Sequence, residues 1–219
     1  MALKGRTSQT ILNACLLALD TSLFFYLILS STPGKVGHTP HKASSADFSR
    51  PVESGEAGVV RSVYIEELAL PIVQQPAGNT NYVSTKDGEV TQFSAVSQYG
   101  NIGLLAHNYL SGKSFSRLAI GQEVSLTYSD GQIEYFTVTE ILRYQALQPG
   151  SPYSSFKNLI NEDEILSTGD MFNRVYLGDH HITFQTCINA NGNSSWGRLF
   201  IVATPNLKYL GYLDSQSLP

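Results

Sequence analysis

Of the two cysteines in the 219-residue chain, Cys15 and Cys187, only Cys187 stands where a nucleophile would stand. It closes the run His181-Ile182-Thr183-Phe184-Gln185-Thr186-Cys187-Ile188, whose alternation predicts a strand, and Asn189-Ala190-Asn191-Gly192-Asn193 after it predicts a loop. A thiol at the mouth of a strand is open to substrate; a buried, inert cysteine is the competing reading. An ordinary thiol has a pKa of about 8.5, is mostly protonated at neutral pH, and needs a base, usually histidine. His107, His180 and His181 are the candidates in this part of the chain. His180 and His181 lie seven and six residues before Cys187. An extended backbone would carry them roughly 20 Å from the thiol. His107 instead ends a separate apolar run, Ile102-Gly103-Leu104-Leu105-Ala106-His107, where its side chain would emerge at a strand end. Arg198 opens another apolar run, Leu199-Phe200-Ile201-Val202-Ala203, eleven residues after Cys187. A guanidinium brought beside the thiol by two neighbouring strands would favour thiolate and hold a developing oxyanion. Taken singly, most arginines in such a place are solvated strand caps.

These residues need strands to hold them, and from residue 59 onward the sequence is made for strands. The segments 59–65, 69–73, 89–96, 101–106, 123–128, 132–141, 181–188 and 198–203 read as extended, with 209–213 as a closing candidate. Ser129-Asp130-Gly131 is the strongest hairpin signal, and Lys86-Asp87-Gly88 is a second turn of that kind. Helical signal is confined to one turn at 114–118 and a short helix at 154–160 with serine caps. Roughly eight short strands over 60–219 predict an all-β domain, a closed barrel or a sandwich.

Composition agrees and excludes alternatives. Charged residues make up 15% of the chain, too few for a coiled coil or a charged disordered protein. The formal charge is −4 with no Lys/Arg cluster, so no nucleic-acid partner is expected. Two distant cysteines provide neither a disulfide framework nor a metal knuckle. Near the N-terminus, Lys4 and Arg6 precede the apolar stretch 11–29, interrupted only by Asn13, Asp20, Thr21 and Ser22. That length and charge order predict a transmembrane anchor over 10–30, with residues 1–9 cytoplasmic. A cleaved signal peptide is the competitor, but no small-x-small site follows Leu29 directly. Residues 31–58, rich in Ser, Pro, Gly and Ala, read as a flexible linker in which His38 and His41 are solvated. The folded domain is then 59–219.

Together, Thr183-Phe184-Gln185-Thr186-Cys187 closing a strand, Arg198 opening the next, and Ala106-His107 at an upstream strand end resemble the sortases. Those are membrane-anchored transpeptidases of the bacterial exterior, whose cysteine motif is Thr-Leu-x-Thr-Cys; here Phe184 stands for the Leu. Phe115-Ser116-Arg117-Leu118 and Gly121 resemble the segment after the family's histidine. Leu105-Ala106-His107-Asn108 departs from its Gly-His-Arg form, and the stretch between Cys187 and Arg198 is unusually rich in Asn.

The resemblance implies an eight-stranded sortase-type β-barrel, with Cys187 as nucleophile, His107 as general acid and base, and Arg198 holding the oxyanion. It also implies a substrate contact for Thr186. The implied reaction cleaves the C-terminal sorting-signal peptide of a secreted protein. The acyl group then passes to an amine acceptor of the cell envelope or a pilin, on the outer side of the membrane. No metal or organic cofactor is required. Some sortases bind calcium, and Glu162, Asp163 and Glu164 are the carboxylates available here; a solvated acidic turn is the other reading. Two alternatives remain open at this point: a cysteine peptidase with water as acceptor, and a non-catalytic extracellular barrel that binds peptide.

Overall fold

Residues 58–209 are described by the computed structural model; the stretch at 11–29, the linker as far as residue 57, and 210–213 lie outside the described residues. Strands β1 (Val60–Ile65) and β2 (Leu68–Gln74) form a hairpin with Ile65 opposite Leu68, and Glu66 in the turn takes φ 56°. Strand β3 (Val90–Gln92) pairs parallel with β2, so Lys86-Asp87-Gly88 ends a crossover and is not the hairpin expected of it. The extension expected to residue 96 also stops early, because Ser94–Ser97 winds into one helical turn, α1. Strand β4 (Ile102–Leu105) returns antiparallel to β3, and α2 (Gly112–Phe115) follows.

Ser129-Asp130-Gly131 turns the chain as its sequence predicts. It joins β5 (Glu123–Tyr128) to β6 (Ile133–Ala146), with Gly131 at φ 83° and the Asp130 carboxylate accepting from the Gln132 amide at 3.0 Å. Strand β6 outruns its expected end at residue 141 because a bulge at Thr139 reverses its alternation. Phe136, Val138 and Ile141 face the barrel interior, whereas Leu142, Tyr144 and Ala146 face outward. The helix expected at 154–160 is instead β7 (Phe156–Asn158), paired with β6 and with β8 (Ile165–Leu166). Burial of Phe156 against the outer wall overrides the serine caps.

A helix the sequence reading did not anticipate, α3 (Thr168–Tyr176), comes next; the Ser167 hydroxyl caps it by accepting from the Asp170 amide at 3.1 Å. Strands β9 (Ile182–Ala190) and β10 (Asn193–Pro205) complete the set. Only Asn191 and Gly192 separate them, at φ 52° and 74°, so the expected five-residue loop is a two-residue turn of type I′.

The sheet runs β10-β9-β4-β3-β2-β1-β5-β6, and β6 pairs back with β10, closing eight strands into a barrel with β7 and β8 as an extension. The interior is filled by Val63, Leu104, Leu126, Phe136, Phe184 and Ile201. A second core lies on the outer wall, where Met171, Phe172, Val175 and Tyr176 of α3 pack on Leu142, Tyr144, Phe156 and Phe200. Helix α3 is tied down mainly at its C-terminal end. The Val175 carbonyl accepts from the Thr183 hydroxyl and the Tyr176 carbonyl from Asn101 Nδ2 at 2.9 Å, while Arg174 pairs with Glu140. Among the described residues, no helix is long and apolar enough to cross a membrane.

Candidate active site

The hairpin β9–β10 sets Cys187 and Arg198 directly opposite each other, and two residues on it pairs Gln185 with Phe200. Directly paired residues in an antiparallel sheet hold their Cβ atoms about 4.5–5.5 Å apart on one face. That face is the outer one, since Phe184 and Ile182 of β9 and Leu199 and Ile201 of β10 fill the interior.

Strand β4 lies on the other side of β9, in parallel, and its four pairs (Ile102 with Ile182 through Leu105 with Gln185) all keep an offset of 80 residues. The Ala106 amide extends the ladder by donating to the Gln185 carbonyl at 3.2 Å. His107 precedes Cys187 by the same 80 residues and lies two positions beyond the last pair of the ladder. Leu105 belongs to the outer core and Ala106 to the interior, so alternation returns His107 to the outer face. The three candidates, separated by up to 91 residues, thus lie on or directly after three adjacent strands, β10, β9 and β4.

Each has a distinct environment. His107 is buried and stacks on Tyr109 with ring centroids 5.3 Å apart. Burial pulls its pKa below the ordinary imidazole value, and a hydrogen bond to the Val83 backbone partly opposes this. Cys187, the only cysteine among the described residues, is buried and is disulfide-bonded, a state the sequence reading did not anticipate. Arg198 is 1% exposed. Its Nη1 donates to the Ser195 and Gly197 carbonyls at 3.1 Å each, while Nε and Nη2 have no acceptor among the described residues. Its Cζ lies 5.7 Å from the Phe156 ring centroid, and burial lowers its pKa to about 10, which still leaves a cation at neutral pH. Arg198 borders a narrow cavity with Phe156, Met171, Phe172, Tyr176 and Gln185.

Thr186, expected to touch substrate, points the other way. It is 2% exposed, and its hydroxyl donates to the Ala106 carbonyl at 2.8 Å. His180 and His181 stand at the opposite end of β9. His180 Nε2 lies 3.0 Å from Glu134, and the ring nitrogens of His181 lie 2.6 and 3.1 Å from the Asp179 and Val175 carbonyls. Glu162 pairs with Lys157 at 2.7 Å, and Glu164 accepts from Asn158 Nδ2 at 2.5 Å and from the Tyr144 hydroxyl at 3.2 Å. Among the described residues, no three His, Cys, Asp or Glu side chains gather as metal ligands.

Sequence reasoning missed Gln185, Tyr176 and Phe156, which surround the guanidinium. Gln185 shares the parity of Cys187 on β9, and its Oε1 accepts from the Tyr176 hydroxyl. Ser167-x-x-Asp170 ahead of Met171-Phe172 was the signal for the helix that brings Tyr176 in.

No protein-family model matches the chain, and no curated protein matches it. Solved structures do. The structures it resembles are sortases. Sortase C1 of Streptococcus agalactiae aligns at 17% identity and TM-score 0.43, over 66% of this chain and 66% of that one. Sortase C of Clostridium perfringens aligns at 17% and 0.41, over 69% and 72%. Sortase A of Corynebacterium diphtheriae aligns at 13% and 0.44, over 69% and 62%. The chain therefore spans about two thirds of the length of the structures it matches. What the site does follows from its own geometry.

Proposed function

We propose that the chain is a sortase-type cysteine transpeptidase. The observation that carries this reading is the setting of Cys187 on β9: Arg198 is its cross-strand partner on one side, and β4, the strand that leads into His107, pairs with β9 on the other. A nucleophile, a proton carrier and an oxyanion donor arranged on three adjacent strands suit acyl transfer.

The reacting form is the reduced one. The Cys187 thiolate attacks the carbonyl carbon of a threonine-like residue in a sorting-signal peptide; the C–S bond forms and the carbonyl electron pair moves to oxygen. The open Nε and Nη2 donors of Arg198 hold that oxyanion. On collapse the C–N bond breaks, and the leaving amine takes the proton that the His107 ring accepted from the Cys187 thiol. The resulting thioester is attacked by an amine of the cell envelope or a pilin, which returns a proton to His107 as the thiolate departs. The apolar stretch 11–29 would hold the enzyme at the membrane with this domain outside.

The test uses the reduced full chain, a library of peptides carrying a central threonine, and hydroxylamine as the amine acceptor. The expected outcome is a peptide hydroxamate, with a thioester mass on Cys187 that Cys187→Ala abolishes. Carboxylate product alone would make the chain a peptidase. Absence of both products, with an inert thiol, would make it a binding domain.

A further inference from the structure

Gly112 opens α2 five residues after His107, in a place that admits no side chain. A Cβ there would lie 2.3 Å from the Thr186 hydroxyl oxygen and 2.7 Å from the His107 carbonyl oxygen, far inside contact distance. The Gly112 amide donates to that same carbonyl at 3.1 Å, beside the Leu110 amide at 3.0 Å. On the other side of His107, Ala106 is gripped by β9 at both polar groups. Its amide donates to the Gln185 carbonyl at 3.2 Å, and its carbonyl accepts from the Thr186 hydroxyl at 2.8 Å. Asn108 Nδ2 adds a bond to the Ser194 carbonyl at 3.0 Å, tying the same turn to the start of β10.

We propose that Gly112 and Thr186 are positioning residues that hold the His107 imidazole against Cys187 by fixing the backbone on either side of it. The proposal rests on reading His107 and Cys187 as the reacting pair. The Thr186 hydroxyl is committed to the interior side of β9, so it acts through the Ala106 carbonyl and touches no substrate. Gly112 acts by what it lacks. A methyl group there must displace the Thr186 hydroxyl or the His107 carbonyl by about 1 Å to reach ordinary contact. Misplacing a reacting group by that much costs about 10²-fold in rate.

The variants are Gly112→Ala, Thr186→Val and Thr186→Ser, each measured in the reduced full chain. Three readouts are needed: kcat and KM for peptide transfer, the thermal midpoint, and the titration of the His107 ring followed by NMR. Gly112→Ala is expected to lower kcat by about 10²-fold with KM little changed. The His107 titration should move upward as its ring leaves the buried setting. Thr186→Val, which loses the hydroxyl at constant shape, should move both in the same direction, and Thr186→Ser should restore them. Should Gly112→Ala fail to fold, the Val and Ser pair decides the matter alone. A kcat loss that follows only the unfolded fraction, with the His107 titration unmoved, overturns the proposal. A parent protein that transfers no peptide refutes the transpeptidase reading instead, and the NMR titration still tests the positioning.

Discussion

Arg198 and Cys187 are directly opposed on β10 and β9, yet the guanidinium lies against Phe156 and keeps two nitrogens, Nε and Nη2, without acceptors among the described residues. Leaving buried donors of a charged group unpaired costs stability, so function is the reason to look for. Replacing a buried charge with an apolar side chain of similar length is often neutral or stabilising. Arg198→Met is therefore expected to keep or raise the thermal midpoint while peptide transfer falls by about 10²–10³-fold. Arg198→Lys should also transfer poorly, since an ammonium does not reproduce the planar fork. A variant that loses stability and activity in parallel would assign Arg198 to the core.

The tight turn at Asn191-Gly192 pairs Asn193 with Ala190, and a register shift between Asn193 and Gly197 then brings Arg198 opposite Cys187. Gly192 stands at φ 74° with nothing within 4 Å of a Cβ built there, so Gly192→Ala meets backbone strain and no clash. The expected cost is about 1–2 kcal/mol of stability, read from denaturant midpoints at constant slope. An unchanged midpoint would show that the hairpin accommodates another turn.

How much of this could be read beforehand varies with how far each signal reaches along the chain. Local signals served well: Ser129-Asp130-Gly131 made its hairpin, and the strands expected before His107 and around Cys187 formed as β4 and β9. The Asn-rich segment misled because its composition suggests loop, whereas the Asn191-Gly192 pair is itself a turn signal. Strand β7 was hidden for another reason, since it exists through pairing with β6 and β8, which no short window contains. The 80-residue separation of His107 and Cys187 was visible as a number, but only the parallel ladder gives it meaning.

The strands that build the barrel all begin at Val60 or later. Deleting residues 1–57, which removes Cys15, is therefore expected to leave a folded protein with the far-UV circular dichroism and thermal midpoint of the reduced parent. The full chain, by contrast, should remain in the membrane pellet after carbonate extraction if 11–29 is an anchor. Release into the supernatant would count against the anchor without touching the barrel.

At the far end of β9 from Cys187, His180 bridges two parts of the barrel. Its Nδ1 lies 2.6 Å from the Gly100 carbonyl, and its Nε2 lies 3.0 Å from Glu134 on β6. Glu134 also accepts from the Tyr128 hydroxyl at 2.6 Å. The Glu134 hydrogen bond raises the His180 pKa, outweighing burial, which acts in the opposite direction. For Glu134, burial raises the pKa, but the bonds from His180 and Tyr128 together outweigh it and hold the carboxyl below its ordinary value. The stabilisation from His180 is fully present below its unfolded pKa of about 6.5, and is lost as pH rises through the higher folded value. That from Glu134 is present above about pH 4.3, and is lost as pH falls through its lowered folded value. The pair therefore stabilises most between about pH 4.3 and 6.5, and less on either side. The side chains are 40% and 30% exposed, so solvent screens the pair, and the effect should be about 1–4 °C in the thermal midpoint. His180→Gln is expected to remove the decline on the alkaline side of the window while leaving a melt at pH 8 nearly unchanged. Identical pH profiles for parent and variant would show that the bridge contributes nothing to holding that end of the barrel.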